Sequence, residues 1–207
     1  MNVDANYSMA HYIFAPSPNF GISEHAFTTW RNAFSDAELT RIINYCDALP
    51  KEPAVINTDT QDTEIRTSEV AWVSQNQDTE WIYDKLSYVI RNLNGQYYNF
   101  DMHGFTEDMQ YTVYNSSVNG HYTWHQDYAG SAGSLPPRKL SLVLQLSDPS
   151  EYEGGDLEIL SSAQASTVDK VKGLIAVFPS FTLHRVSPVT KGIRKTIVIW
   201  ATGPSFK

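Results

Sequence analysis

From Gln96 onward the chain is a succession of short runs rich in Tyr, Val, Ile and Leu, broken by the turn signals NG, GSAGSLPP, EYEGGD and TKG. Strands of that length between glycine- and proline-bearing turns point to a β sandwich or barrel, because each buries one face and the chain must reverse to bury the next. The preceding residues carry two helical patterns. FSDAELTRIINYCDALP has Ser35 and Glu38 at capping-box spacing, an apolar face of Leu39, Ile42, Ile43 and Cys46, and Pro50 as its stop. DTEWIYDKLSYVIRNLNG sets Ile82, Leu86, Val89, Ile90 and Leu93 on one stripe, with Asn94-Gly95 as the expected end. Short strands are expected at Ala54 to Ile56 and at Glu69 to Val73, with the polar stretch NTDTQDTEI as a loop after the first. The expected class is α+β, mainly β, in a single domain over residues 1–207. Residues 1–95 would form an N-terminal extension, supporting helices and a lid loop, and 96–207 the catalytic β core.

Several function classes drop out on composition and motif. Apolar runs such as Leu174 to Val177 and Ile197 to Trp200 fall far short of the roughly 20 residues that cross a bilayer. The first thirty residues lack a basic region followed by a continuous apolar one, so a cytoplasmic location is expected. Cys46 is the only cysteine, which removes disulfide frameworks and CxxC sites. A formal charge of −8 speaks against a design built on phosphate-backbone attraction. There is no GxxxxGK[ST], no GxGxxG between strand and helix, no GxSxG and no HExxH.

What remains is concentrated in the β half, where His125-Gln126-Asp127 is followed by His184 and Arg194. In a strand, residues i and i+2 share a face, so His125 and Asp127 can present an imidazole and a carboxylate to one point. His184, expected in a loop between two apolar strands, could add the third donor. Two histidines and one carboxylate form the face that leaves adjacent positions open on a non-haem Fe(II), whereas a structural zinc closes its shell. Along the last strand Arg194, Thr196, Val198 and Trp200 share one face, and Ile193, Lys195, Ile197 and Ile199 the other. An arginine facing into a barrel is costly unless it meets an anion. His121 is expected in a solvated turn, His11, His25 and His103 have no partners at ligand spacing, and Asp169, Lys170 and Lys172 are expected in a solvated turn.

The segments YTVYNSSVNGHYTWHQD, RKLSLVLQLSDPSEYEGGDLEI and FPSFTLHRVSPVTKGIRKTIVIW resemble the Fe(II)- and 2-oxoglutarate-dependent dioxygenases, in the prolyl 4-hydroxylase-like branch that includes the PKHD-type hydroxylases. The resemblance implies a double-stranded β-helix, or jelly roll. It places His125, Asp127 and His184 as the catalytic iron ligands, and Arg194 as the cation that holds the distal carboxylate of 2-oxoglutarate. Tyr114 and Tyr122 match cosubstrate-pocket tyrosines, and Arg138 and Trp200 match positions that contact a target proline. The segment Arg66 to Ser68 looks like part of the family's lid, so Arg66 is a further candidate for substrate binding. Gln145 stands where some relatives have tyrosine. The implied cofactors are Fe(II), 2-oxoglutarate as cosubstrate, and ascorbate as an auxiliary. The implied reaction hydroxylates an unactivated C–H bond, peptidyl proline first, while 2-oxoglutarate and O2 become succinate and CO2. A peptide or protein partner is expected, and neither nucleic acid nor membrane. The alternatives are a nucleic-acid demethylase of the same superfamily, whose members carry a further arginine where this chain has Trp200, and a jelly-roll binding module without turnover.

Overall fold

The structure, a computed structural model, describes residues 26–55, 62–128, 136–160 and 163–206. The expectations for residues 1–25, including His11 and His25, and for Ile56 lie outside these residues. In chain order the elements are β1 (Thr28–Trp30), α1 (Asp36–Asp47), β2 (Glu52–Pro53), β3 (Arg66–Thr67), β4 (Glu69–Val73) and α2 (Glu80–Leu93). There follow β5 (Gly104–Phe105), β6 (Met109–Asn115), β7 (His121–His125), β8 (Arg138–Gln145), β9 (Tyr152–Gly154), β10 (Leu157–Leu160), β11 (Ala165–Thr167), β12 (Ile175–Pro179), β13 (Leu183–Val186) and β14 (Val189–Thr202).

The strands form two antiparallel sheets, the jelly-roll arrangement. The larger runs β1-β12-β8-β14-β6-β4-β2, with β5 and β9 also paired to β14; the smaller runs β11-β10-β13-β7-β3. Alternation along β8 and β14 sorts side chains between two compartments. Leu140, Leu142, Leu144, Ile197, Ile199 and Ala201 join the cluster that α1 and α2 cover. Ser141, Gln145, Arg194, Thr196 and Trp200, on the opposite face, are also buried. Polar residues therefore share the space between the sheets with a second apolar cluster that includes Val143, Leu157, Ile159 and Phe178, while the larger apolar core sits under the helices.

Helix α1 begins as its sequence dictates: Ser35 Oγ accepts from Glu38 N, and Glu38 Oε2 accepts from Ser35 N at 2.8 Å. Asp47 at its far end fastens it to the sheet, accepting from Tyr111 Oη at 2.6 Å and pairing with Lys195 Nζ at 2.6 Å. Cys46 is fully buried on its inner face, and burial pushes the thiol up to about 12.

Three expectations about local structure need correction. The first short strand lies at Glu52–Pro53 rather than at Ala54 to Ile56. Ala54 instead donates its N–H to Ser68 O, just beyond the strand. α2 does end at Leu93 with Asn94 as its C-cap, but Asn94-Gly95 does not turn the chain, which continues as a π turn over Asn94–Tyr98 and reverses at Asn99, whose φ is 53°. Asn94 fixes that reversal, its side chain donating to Phe100 O and accepting from Phe100 N. Of the expected lid loop, residues 57–61 are outside the described residues, whereas Arg66–Thr67 and Glu69–Val73 are strands paired to β7 and β6. No helix among the described residues is long and apolar enough to cross a membrane.

Candidate metal centre

Strands β13 and β7 pair so that His184 stands directly opposite His125. His184 thus sits inside a strand rather than in a loop. β7 ends at His125, so Asp127 reaches the same point from the turn beyond it, where its N–H donates to Ser180 O at 2.8 Å. One donor atom from each of His125, Asp127 and His184 lies within 4.8 Å of the other two. His125 Nε2 is 3.7 Å and His184 Nε2 3.4 Å from the Asp127 carboxylate.

The far nitrogens are tied in the same way in both rings. His125 Nδ1 lies 2.7 Å from Thr123 O and His184 Nδ1 2.9 Å from Thr182 O. A proton on each Nδ1 leaves the Nε2 lone pairs aimed at the shared point, the arrangement a metal-binding imidazole needs. Asp127 is steadied by Ser141 Oγ, which donates to its Oδ2 at 2.7 Å from β8.

Electrostatics set the protonation. Burial and then the neighbouring His184 depress His125 to about 4, so the ring is neutral at physiological pH. Burial alone would raise Asp127, but His184 and His125 outweigh it and hold its carboxyl far below the usual carboxylate range. His184 feels burial downward and Asp127 more strongly upward, so it is raised. A carboxylate between two imidazoles, one open side and no thiolate suits a hard-to-borderline cation such as Fe(II).

Further into the space between the sheets lies Arg194, 2% exposed. Its guanidinium makes no ion pair or hydrogen bond with any described residue, and the ring of Tyr114, on the paired position of β6, lies 5.5 Å away. A buried cation without a counter-ion among the described residues is expensive, and an anion bound beside it would relieve that cost. Arg194 lines a small cavity together with Gln145, Tyr152, Gly155 and Lys170. Gly155 keeps this space open, since a Cβ there would stand 2.9 Å from Arg194 Cδ, and its φ of 61° favours glycine in any case.

The remaining candidates surround the donors. Tyr122 stacks on His125 with ring centroids 3.4 Å apart, and Arg66 lies 4.7 Å over the other side of Tyr122. The Arg66 guanidinium is engaged, donating to Ser68 Oγ and to Gln110 Oε1. Arg138 covers the Trp200 ring at 3.7 Å while Glu107 takes its fork at 2.6 and 2.7 Å. Trp200 Nε1 is buried with no described partner, and it is near enough to Asp127 to help hold that carboxyl down.

Sequence reasoning missed several of these groups. Ser141 and Glu107 gave no motif, although the alternation of RKLSLVLQ places Ser141 on the inward face. Lys170 is not merely solvated: it pairs with Asp156 at 2.9 Å and reaches over Tyr152 at 5.1 Å. His121 is a strand residue of β7 held by Asn119 O and Glu64 O, not part of a solvated turn.

A family model described as the 2OG-Fe(II) oxygenase superfamily matches residues 109–202. The chain is similar to a PKHD-type hydroxylase of Synechococcus sp. (strain CC9311), 39% identical over 91 residues that cover 44% of this chain and 40% of that protein. A PKHD-type hydroxylase of Teredinibacter turnerae (strain ATCC 39867 / T7901) is 42% identical over 87 residues, 39% of this chain and 37% of that one. The matches thus span about two fifths of the length of these relatives. Among solved structures, a Trichoplax adhaerens prolyl hydroxylase in complex with a hypoxia inducible factor oxygen degradation domain peptide fragment superposes with a TM-score of 0.72 at 17% identity, over 86% of this chain and 84% of that one. A Pseudomonas putida prolyl-4-hydroxylase does so with a TM-score of 0.67 at 21% identity, over 88% and 95%. At such identities the likeness is one of fold.

Proposed function

We propose that the chain, whose residues 109–202 match a family model described as the 2OG-Fe(II) oxygenase superfamily, is an Fe(II)- and 2-oxoglutarate-dependent hydroxylase acting on an unactivated C–H bond of a peptide, with peptidyl proline as the first-choice substrate. The observation that carries this reading is one juxtaposition: three metal donors within 4.8 Å of one another and, between the same two sheets, a buried guanidinium with no counter-ion among the described residues.

His125, Asp127 and His184 would hold the iron. Bound Fe(II) supplies the O2 chemistry that turns 2-oxoglutarate into succinate and CO2 and the substrate C–H into C–OH. Thr123 O and Thr182 O keep the two imidazoles turned toward the metal, and Ser141 keeps one carboxylate oxygen of Asp127 from rotating away. Arg194 receives the distal carboxylate of the keto acid; a fork donating to a carboxylate is worth roughly 1.5–3 kcal/mol, enough to favour a dicarboxylate over a monocarboxylate. The rings of Tyr122 and Phe178, stacked or tilted against His125 and His184, keep water from the donors on that side.

For the substrate, Trp200 and Arg138 form a platform next to Asp127. An indole surface suits a pyrrolidine ring, and the Trp200 indole, with Arg138 over its ring, lies beside Asp127. The peptide-bound Trichoplax prolyl hydroxylase and the Pseudomonas prolyl-4-hydroxylase favour the same choice. The test supplies Fe(II), 2-oxoglutarate and air with a panel of proline-containing peptides, and a methylated oligonucleotide in a parallel reaction. Gain of one oxygen on proline matched by succinate supports the proposal. Demethylation of the oligonucleotide with unchanged peptides would move the substrate class, and no 2-oxoglutarate consumption in any reaction would overturn the hydroxylase reading.

A further inference from the structure

The cavity at Arg194 holds a second, less obvious donor. Tyr152 opens β9 and Gln145 closes β8; they are 3% and 6% exposed, and both line the cavity with Arg194. Gln145 Nε2 donates to Tyr152 Oη at 2.7 Å. That bond fills an acceptor site on the phenol oxygen, so the phenol's own hydrogen is left without a described acceptor and has to find one in the cavity. A buried hydroxyl with an unused hydrogen and a buried guanidinium with an unused fork lie on the two sides of Gly155, whose added Cβ would meet Arg194 Cδ at 2.9 Å and Tyr152 Cε2 at 3.4 Å. Two donor groups with unused hydrogens lining one small cavity, with the Tyr114 ring 5.5 Å from the cation, suit a carboxylate held by more than one contact.

We propose that Tyr152 is a cosubstrate-binding residue that donates its phenolic hydrogen to the distal carboxylate of 2-oxoglutarate, and that Gln145 is the positioning residue that turns that hydrogen toward the cavity. This rests on the proposed function for the identity of the anion, but the residues are assigned by the hydrogen-bond direction. A carboxylate accepts several hydrogen bonds, so the Arg194 fork and the Tyr152 hydroxyl do not compete. Lys170, drawn off by Asp156 and by Gly154 O, adds positive potential without being a free donor.

The test is binding without turnover. The full chain, loaded with Fe(II) in the absence of oxygen, is titrated calorimetrically with 2-oxoglutarate and with 2-oxopentanoate, which has the same carbon chain but no distal carboxylate. Tyr152→Phe keeps the ring and removes the donor. It is expected to weaken 2-oxoglutarate roughly ten- to hundredfold and to leave 2-oxopentanoate unchanged. Gln145→Glu accepts instead of donating, draws the phenolic hydrogen away and sets a negative charge against the anion. It should weaken 2-oxoglutarate beyond Tyr152→Phe, with a smaller change for 2-oxopentanoate. Equal weakening of both keto acids in Tyr152→Phe would reduce Tyr152 to packing and overturn the inference. So would unchanged binding of 2-oxoglutarate in either variant when the unsubstituted protein binds it. Failure of the unsubstituted protein to bind 2-oxoglutarate at all would instead overturn the proposed function, and this assignment with it.

Discussion

His125 and His184 are directly paired residues on adjacent antiparallel strands, with ring centroids 4.1 Å apart and planes at 53°. The ladder between β7 and β13 therefore fixes the spacing of two donors before any metal arrives, and only Asp127 depends on a turn. His184→Ala should remove one donor with little disturbance of the strand. Fe(II) affinity, read by calorimetry without oxygen, is expected to drop at least a hundredfold, and succinate release to disappear. Retention of stoichiometric, tight iron in this variant would remove His184 from the ligand set.

Arg194 gives a prediction of opposite sign for stability and for binding. Its guanidinium is buried without a counter-ion among the described residues, so the folded protein without keto acid carries the desolvation cost uncompensated. Arg194→Met keeps most of the apolar stem and removes the charge. The metal-free variant should melt a few degrees higher, in keeping with about 1 kcal/mol or more relieved. Its 2-oxoglutarate affinity should fall at least tenfold. A lower melting temperature would mean that the guanidinium is satisfied within the protein.

Glu38 sets an acid limit on α1. Its carboxyl is lowered to about 2, first by the hydrogen bond from Lys85 and then by the Ser35 N–H. A folded-state value below the unfolded one adds stability that is complete above about 4.5 and is lost as pH falls through about 2. Glu38→Gln should therefore cost about 1 kcal/mol at neutral pH, a capping-box contribution with the partly exposed ion pair discounted for screening. In urea melts the gap between variant and parent should close as pH is lowered from 5 toward 2. A gap independent of pH would assign the effect to packing.

The parts of this molecule that were legible in the sequence are those whose signal is local. Ser35 and Glu38 announce a helix start, Leu39 and Ile42 its buried face, and His125 with Asp127 a pair of donors, because each pattern spans only a few residues. The groups that escaped notice are set by register between distant strands. Glu107 meets Arg138, and Gln145 meets Tyr152, only once the sheets have formed. The same is true of the β13 position of His184, which a flanking proline at Pro188 disguised as a loop. At Asn94-Gly95 the local turn signal was overridden by the Asn94 side chain, which bonds Phe100 on both sides of its backbone.

Ser141 offers the sharpest separation between holding a ligand and holding the fold. It is fully buried on β8, its hydroxyl donates to Asp127 Oδ2 at 2.7 Å, and that hydrogen bond is its only described side-chain contact of this kind. With it in place Oδ2, which also lies 3.4 Å from His184 Nε2, is restrained, while Oδ1 lies 3.7 Å from His125 Nε2; without it the group can rotate, and both oxygens lose part of their orientation. Groups that orient a metal ligand typically contribute ten- to hundredfold to metal affinity. Ser141→Ala removes the donor at almost constant volume, so Fe(II) affinity should weaken by about that factor while the melting temperature of the metal-free protein changes by only a few degrees. Ser141→Cys, a weaker donor at the same position, should fall between parent and alanine. Iron binding in Ser141→Ala indistinguishable from the parent would show that the backbone hydrogen bond from Asp127 N to Ser180 O is sufficient to place the carboxylate.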